Sequence, residues 1–200
     1  VIVSRRLALG LTLSVVVTGA ATAALAPRDV DELPAGFESP VVALQLARTV
    51  DEAALVLDGD ERRRQFVRAT VADVPFAAAT TALWAVMAWQ LRPWLAAPAL
   101  VGGVADLLEN VAILAAVDGP TPVVVGWLRR AARTKWLMLG LTFVGLGFGA
   151  WRRTLATGWE VVGLGIDVAY LWAGILCLVG VTVHEPVIER CALPLAAAVI

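Results

Sequence analysis

The 200-residue sequence holds one histidine, one tyrosine, two cysteines, three serines and a single lysine, and each scarcity removes a class of chemistry. A lone imidazole, His184, cannot build a multi-histidine iron or haem site, and no H-E-x-x-H occurs to bind zinc. Ser4, Ser14 and Ser39 never stand in G-x-S-x-G, so a Ser–His hydrolase lacks its nucleophile. Cys177 and Cys191 form no C-x-x-C, which argues against thiol redox chemistry and makes two inert thiols the expectation. No G-x-x-x-x-G-K-[ST] is present to hold a nucleotide. No metal and no cofactor are therefore expected. Charge is scarce as well: charged residues are 16% of the chain, and Lys+Arg 16 against Asp+Glu 17 leaves no basic excess, so nucleic acid is not an expected partner.

What fills the chain instead is apolar. Hydrophobic residues reach 60% and mean hydropathy is +0.80, above the ~45–50% of a soluble domain and incompatible with disorder. Five apolar runs (7–26, 71–91, 94–117, 123–151 and 159–183) are each long enough to cross a bilayer, where backbone polar groups must be satisfied internally. The expectation is an all-α integral membrane bundle of about five transmembrane helices. Residues 1–26 form a signal-anchor or first transmembrane helix, read as retained in preference to a cleaved signal peptide. Residues 27–70 form an extramembrane amphipathic segment, 71–183 the four-helix core and 184–200 a tail, with apolar residues from Ala192 lying on the bundle.

Within 27–70, Ser39-Pro40 offers an N-cap and a proline at the first helical position, and Thr49-x-x-Glu52 is a capping box that Gly59 can close. Val41, Leu44, Val50 and Leu55 are expected to pack on the rim of the bundle. Trp89, Trp94, Trp151 and Trp159 share one membrane face with Arg5, Arg6, Arg92, Arg152 and Arg153, which makes that face cytoplasmic and the N-terminus inside. Arg129, Arg130 and Arg133 argue the other way. Gly145-x-x-x-Gly149, with Gly140, Gly147, Gly163, Gly165 and Gly174, predicts close helix contact within the chain or in a dimer.

The chemistry concentrates in Asp106-Leu107-Leu108-Glu109-Asn110. Positions i, i+3 and i+4 share a helix face, so three polar groups point together inside an apolar span. An ionised group at the bilayer centre costs about 2.5–3.5 kcal/mol on insertion scales, so a partner is expected. The prolyl turn at 118–122 folds the third and fourth spans into an antiparallel hairpin, and a turn centred between Pro120 and Thr121 sets Asp106 level with Lys135. Arg133 or Arg130 is the alternative partner for Glu109. Asp73 enters the second span from the same face, and Asp167 with Tyr170 enters the fifth from the opposite one, so the candidate cluster is Asp73, Asp106, Glu109, Asn110 and Lys135, with Asp167 and Tyr170 as possible additions. His184-Glu185 reads as a polar stop at the interface.

Together Leu44–Ala53, Asp73, Asp106-x-x-Glu109-Asn110 and Lys135-Trp136 resemble a loose family of uncharacterised bacterial multi-pass membrane proteins with an intramembrane D-x-x-E-N motif. The resemblance covers residues 40 to 150 and implies a cytoplasmic-membrane location, but no activity. An acid commonly stands at the Gln45 position of that family and an aromatic-rich run follows the Asp73 position. This chain departs at both, so the resemblance assigns Gln45 no role.

Three functions fit the sequence. A non-enzymatic scaffold or accessory subunit, partnered with lipid and with a second copy or another membrane subunit, predicts acids that are paired and dry. A proton-linked transporter or pore component predicts a water-accessible cavity at Asp106 and Glu109. A lipid-modifying enzyme using those carboxylates predicts an opening wide enough for a headgroup or acyl chain.

Overall fold

In the computed structural model, residues 5–27, 32–157, 160–183 and 185–191 are described, the side chains of 5, 6, 8, 150–157, 160–165 and 191 excepted. His184, Trp159 and the tail from Ala192 lie outside the described residues, and the side chains of Arg5, Arg6, Trp151, Arg152 and Arg153 do so as well. Every described element is helical: α1 (Arg5–Leu25), α2 (Pro40–Gln45), α3 (Val50–Val56), α4 (Asp60–Leu91), α5 (Ala96–Asp118), α6 (Pro122–Thr157) and α7 (Glu160–Thr182). Short 3₁₀ turns occupy Pro93–Leu95 and Glu185–Cys191. Two segments, Asp60–Leu91 and Pro93–Asp118, are long and apolar enough to cross a membrane among the described residues.

The helix signals in 27–70 act as their chemistry dictates. The Ser39 hydroxyl accepts from the Val42 amide and Pro40 follows it, while the Thr49 hydroxyl accepts from the Glu52 amide at 3.1 Å. The Glu52 carboxylate reaches one residue further back than a capping box requires, accepting from the Arg48 amide at 2.7 Å. Gly59 does not close α3. It stands at φ +90, a conformation natural to glycine, and opens α4. That helix then runs unbroken through Pro75, so the boundary expected at residue 70 falls inside one continuous rod.

Successive long helices pack as antiparallel neighbours, α1 on α4, α4 on α5, α5 on α6 and α6 on α7. The expected α5–α6 register is met, with Lys135 Nζ 3.2 Å from Asp106 Oδ1. Farther down the hairpin, a Cβ at Gly102 would touch Leu139 in the same register. Between α6 and α7, Gly140 lies against Cys177, Val144 against Gly174 and Gly147 against Leu171. Extending that register sets Lys135 level with Thr182, where α7 ends. Between α1 and α4, Gly19 faces Phe76 and the Thr22 hydroxyl donates to the Ala72 carbonyl. Asp73 is thereby level with residues 21 and 22, one turn before α1 ends.

Where α5 and α6 rise past those ends, α2 and α3 close over them. Ala43, Leu44, Ala47, Ala53, Val56, Leu57 and Phe66 form one core with Ala112, Ile113, Ala116, Val117, Val125 and Leu128. The segment is thus a packed cap, deeper than a rim of apolar contacts. Val41 and Val50 are partly buried against this core, whereas Leu55 points outward at 39% exposure, against expectation.

Glycines set how near the backbones come. Gly140, Gly147 and Gly174 serve the α6–α7 contact, while Gly145 and Gly149 face Leu95 and Leu91 at the α4–α5 corner, so these contacts lie within the chain. A Cβ at Gly174 would stand 2.8 Å from the Gly140 carbonyl oxygen and the Val144 amide, whereas one at Gly126 would meet nothing within 4 Å. Gly174→Ala should therefore destabilise by about 1–3 kcal/mol through overpacking, and Gly126→Ala should stabilise by about 0.5–1 kcal/mol through helix propensity. Thermal unfolding of the purified protein in detergent separates the two; equal shifts would contradict the packing.

Candidate functional site

Lys135 is the centre of the polar cluster. Its Nζ lies 2.5 Å from Glu109 Oε1 and 3.2 Å from Asp106 Oδ1, with the ring of Trp136 5.0 Å away. The helical spacing of Asp106 and Glu109 makes this possible, since one turn brings both carboxylates to the same ammonium. Asn110, on the same face, donates from Nδ2 to Asp73 Oδ2 at 2.9 Å and ties α4 into the set. Asp73, Asp106, Glu109, Asn110 and Lys135 therefore come together as the sequence predicts. Lys135, and neither Arg130 nor Arg133, pairs with Glu109.

Gln45, to which the resemblance assigns no role, completes the cluster from α2. Its Nε2 donates to Glu109 Oε1 at 2.6 Å, across 64 residues of chain. The residue is 6% exposed and Glu109 is 1% exposed, so α2 seals this end of the bundle against a dry carboxylate. Gln45 Oε1, Glu109 Oε2 and Trp136 Nε1 have no hydrogen-bond partner among the described residues. Buried polar atoms are usually satisfied, so three orphans around one cluster mark a place that favours a ligand or ordered water.

Beside the cluster lies a partly open cavity of about 460 Å³, bounded by α1, α2, α4, α5 and α6. Asp73, Asp106, Asn110, Lys135 and Gln45 line it, and Glu109 does not. The α4 wall consists of Phe66, Ala69, Thr70, Asp73, Phe76, Thr80 and Trp84, a single stripe at helical spacing. From Asp73 to Trp84 the helical rise gives a wall about 16 Å long.

Asp167 and Tyr170 stand apart from this site. They border a separate space of about 220 Å³ with Met87, Gln90, Leu91, Leu146 and Ile166. The α6–α7 register places Asp167 level with residue 151, at the opposite end of the bundle from Lys135. Between the two spaces Phe143 packs edge-on to Trp84 at 4.9 Å and lies 5.9 Å from Tyr170.

A second ionic knot holds the cap. Glu185, expected as a polar stop, is 6% exposed and accepts from Arg129 at 2.7 Å and Arg48 at 3.2 Å. Arg133 donates to the Val181 carbonyl at 3.0 Å, and Glu189 accepts from the amides of Glu38 and Ser39. Burial opposes the Glu185 charge, but the hydrogen bonds from Arg129 and Arg48 outweigh it and hold its pKa below the usual 4.5. With the folded value below the unfolded one, Glu185 stabilises the fold above the ordinary carboxylate range, and that contribution fades as pH falls through the folded value. Glu185→Gln should lower the melting temperature at neutral pH and flatten its decline below about pH 4.5. An unchanged acid limb in melting profiles would assign the acid sensitivity elsewhere.

Comparison with known protein families, curated proteins and solved structures finds no match, so a functional reading rests on the site's own geometry.

Proposed function

We propose that this chain is a multi-pass protein of the bacterial cytoplasmic membrane that binds a small amphiphile in the cavity beside Lys135. In this reading α1, α4, α5, α6 and α7 cross the bilayer, the N-terminus is inside, and the cap formed by α2 and α3 lies outside. The distribution of side chains supports it. Leu100, Val101, Val104, Leu107, Leu108 and Val111 are exposed along α5, while Glu109 and Asn110 on the same helix are buried, the reverse of a water-soluble helix. Trp89 and Trp94 are exposed at the end expected to face the cytoplasm. Arg129 and Arg133, which argue against that orientation, are engaged within the protein, by Glu185 and by the Val181 carbonyl near the end of α7.

The observation that carries the ligand proposal is the match between the cavity's polarity and its depth. Asp73, Asp106 and Lys135 line it at the level where α1 and α7 end, which in this reading is the outer boundary of the hydrocarbon and not its centre. From there the wall of Phe76, Thr80, Trp84, Val15 and Leu139 leads inward. A polar head at the boundary with an apolar body pointing inward is how an amphiphile already sits in a leaflet. The volume falls within the ~300–1,000 Å³ of small-molecule sites.

The scaffold reading is favoured by one observation, the dry knot of Lys135, Glu109 and Gln45. That knot sets helix register and bounds the cap end of the site through Lys135 and Gln45. Because Glu109 does not line the cavity, the pairing of Asp106 with Glu109 as acid and base lacks substrate access.

Filling the cavity tests binding. Ala69 is 6% exposed on the α4 wall, so Ala69→Trp should occupy the space. Solvent extraction and mass spectrometry of purified protein should find an amphiphile near one per chain in the wild type and less than about a tenth of that in Ala69→Trp at similar thermal stability. No bound amphiphile in either would leave the scaffold reading. For the orientation, Asp58→Cys between α3 and α4 should react with an impermeant maleimide in intact cells; labelling only after lysis would contradict an external cap.

A further inference from the structure

The geometry points to a ligand class for this cavity, an amphiphile whose head is a hydrogen-bond-donating cation of the alkylammonium type; the inference rests on the binding reading above. Charge is the first reason. Among the described residues Asp106 and Glu109 share one ammonium, Lys135, the only cation bonded to them, and Asp73 is bonded to an amide and to no cation. Lys135 lies closest to Glu109, and Gln45 donates to the same Glu109 oxygen, so Glu109 takes most of the compensation and sits outside the cavity. The two carboxylates that line the cavity are left with less. Asp73 has an amide from Asn110 on one oxygen, and Asp106 shares Lys135 at the longer distance of 3.2 Å.

Hydrogen bonding is the second reason and is independent of charge. Gln45 is 6% exposed, lines the cavity, and its Oε1 lacks a donor. Oδ1 of Asp73 and Oδ2 of Asp106 likewise receive no hydrogen bond from the described residues. Against these acceptors stands one donor without a partner among the described residues, Trp136 Nε1, so the balance at this end of the cavity is on the acceptor side, which an N–H-bearing cation satisfies and a carboxylate or phosphate head opposes. The Trp136 ring, 5.0 Å from Lys135 Nζ, lines the same end of the cavity. The apolar stripe from Phe76 to Trp84 fits one chain attached to that head.

Saturable binding of four dodecyl probes to the full chain in lipid nanodiscs, corrected for partition into empty discs, tests the assignment. Dodecylamine should bind about tenfold or more tighter than dodecanol, because a charge-assisted hydrogen bond replaces a neutral one, and dodecanoate should not saturate. Dodecyltrimethylammonium, which has the charge but no N–H, should fall between the amine and the alcohol. Ethylamine, with the head and no chain, should fail to displace dodecylamine. In Asp73→Asn and Asp106→Asn the amine-over-alcohol preference should shrink severalfold.

Equal saturable binding of amine and alcohol to the wild type would overturn the headgroup assignment and leave the cavity reading intact. Absence of saturable binding by every probe would overturn both. Efficient displacement by ethylamine would overturn the requirement for a chain. Should either variant fail to fold, the wild-type order of the four probes decides alone.

Discussion

The Lys135 ammonium, held among carboxylates in an otherwise apolar bundle, is the interaction on which the other features depend. A buried charge without a partner costs several kcal/mol, and two carboxylates one turn apart repel each other unless a cation stands between them. Lys135 on α6 meets Asp106 and Glu109 on α5, Asn110 on that same α5 face reaches Asp73 on α4, and Gln45 on α2 caps Glu109. Four helices are thereby fixed in relative height by groups that would be costly to misplace. Apolar packing alone is less selective, since a slide by one turn exchanges one aliphatic residue for another.

With the register fixed, the cap and the cavity follow. The α5–α6 hairpin rises past the ends of α1 and α7, and its apolar faces there require cover, which α2 and α3 supply. The chain after α7 turns back over the cap, and Glu185 joins it to Arg48 and Arg129. The cap positions Gln45 over Glu109, and the same placement roofs the cavity between α1, α4 and α6. Structural and binding roles thus divide within one cluster: Glu109 faces the protein, and Asp73 and Asp106 face the open space.

What the sequence disclosed and what it concealed divide by distance along the chain. The Ser39 and Thr49 caps are local and were legible. The pairing of Asp106 with Lys135 was legible as well, because a short prolyl turn between antiparallel helices leaves little freedom in register. Gln45 was not, since its contact with Glu109 exists only once α2 docks on α5 and α6. Glu185 was read as a polar stop for a related reason, its two arginine partners lying 137 and 56 residues away. Asp167 was grouped with the other acids because all stand inside apolar runs. The α6–α7 glycine contacts fix its height instead, and they place it at the far end.

Lys135 and Glu109 form the buried pin, and a double-mutant cycle on Lys135→Met and Glu109→Gln, read by unfolding in detergent, is its decisive measurement. Lys135→Met should destabilise by about 3–5 kcal/mol because it strands Glu109, Glu109→Gln should cost less because Asp106 still faces the ammonium, and adding Glu109→Gln to Lys135→Met should recover part of the loss. Additive effects, or a Lys135→Met change that leaves stability untouched, would remove the pin from the centre of the fold.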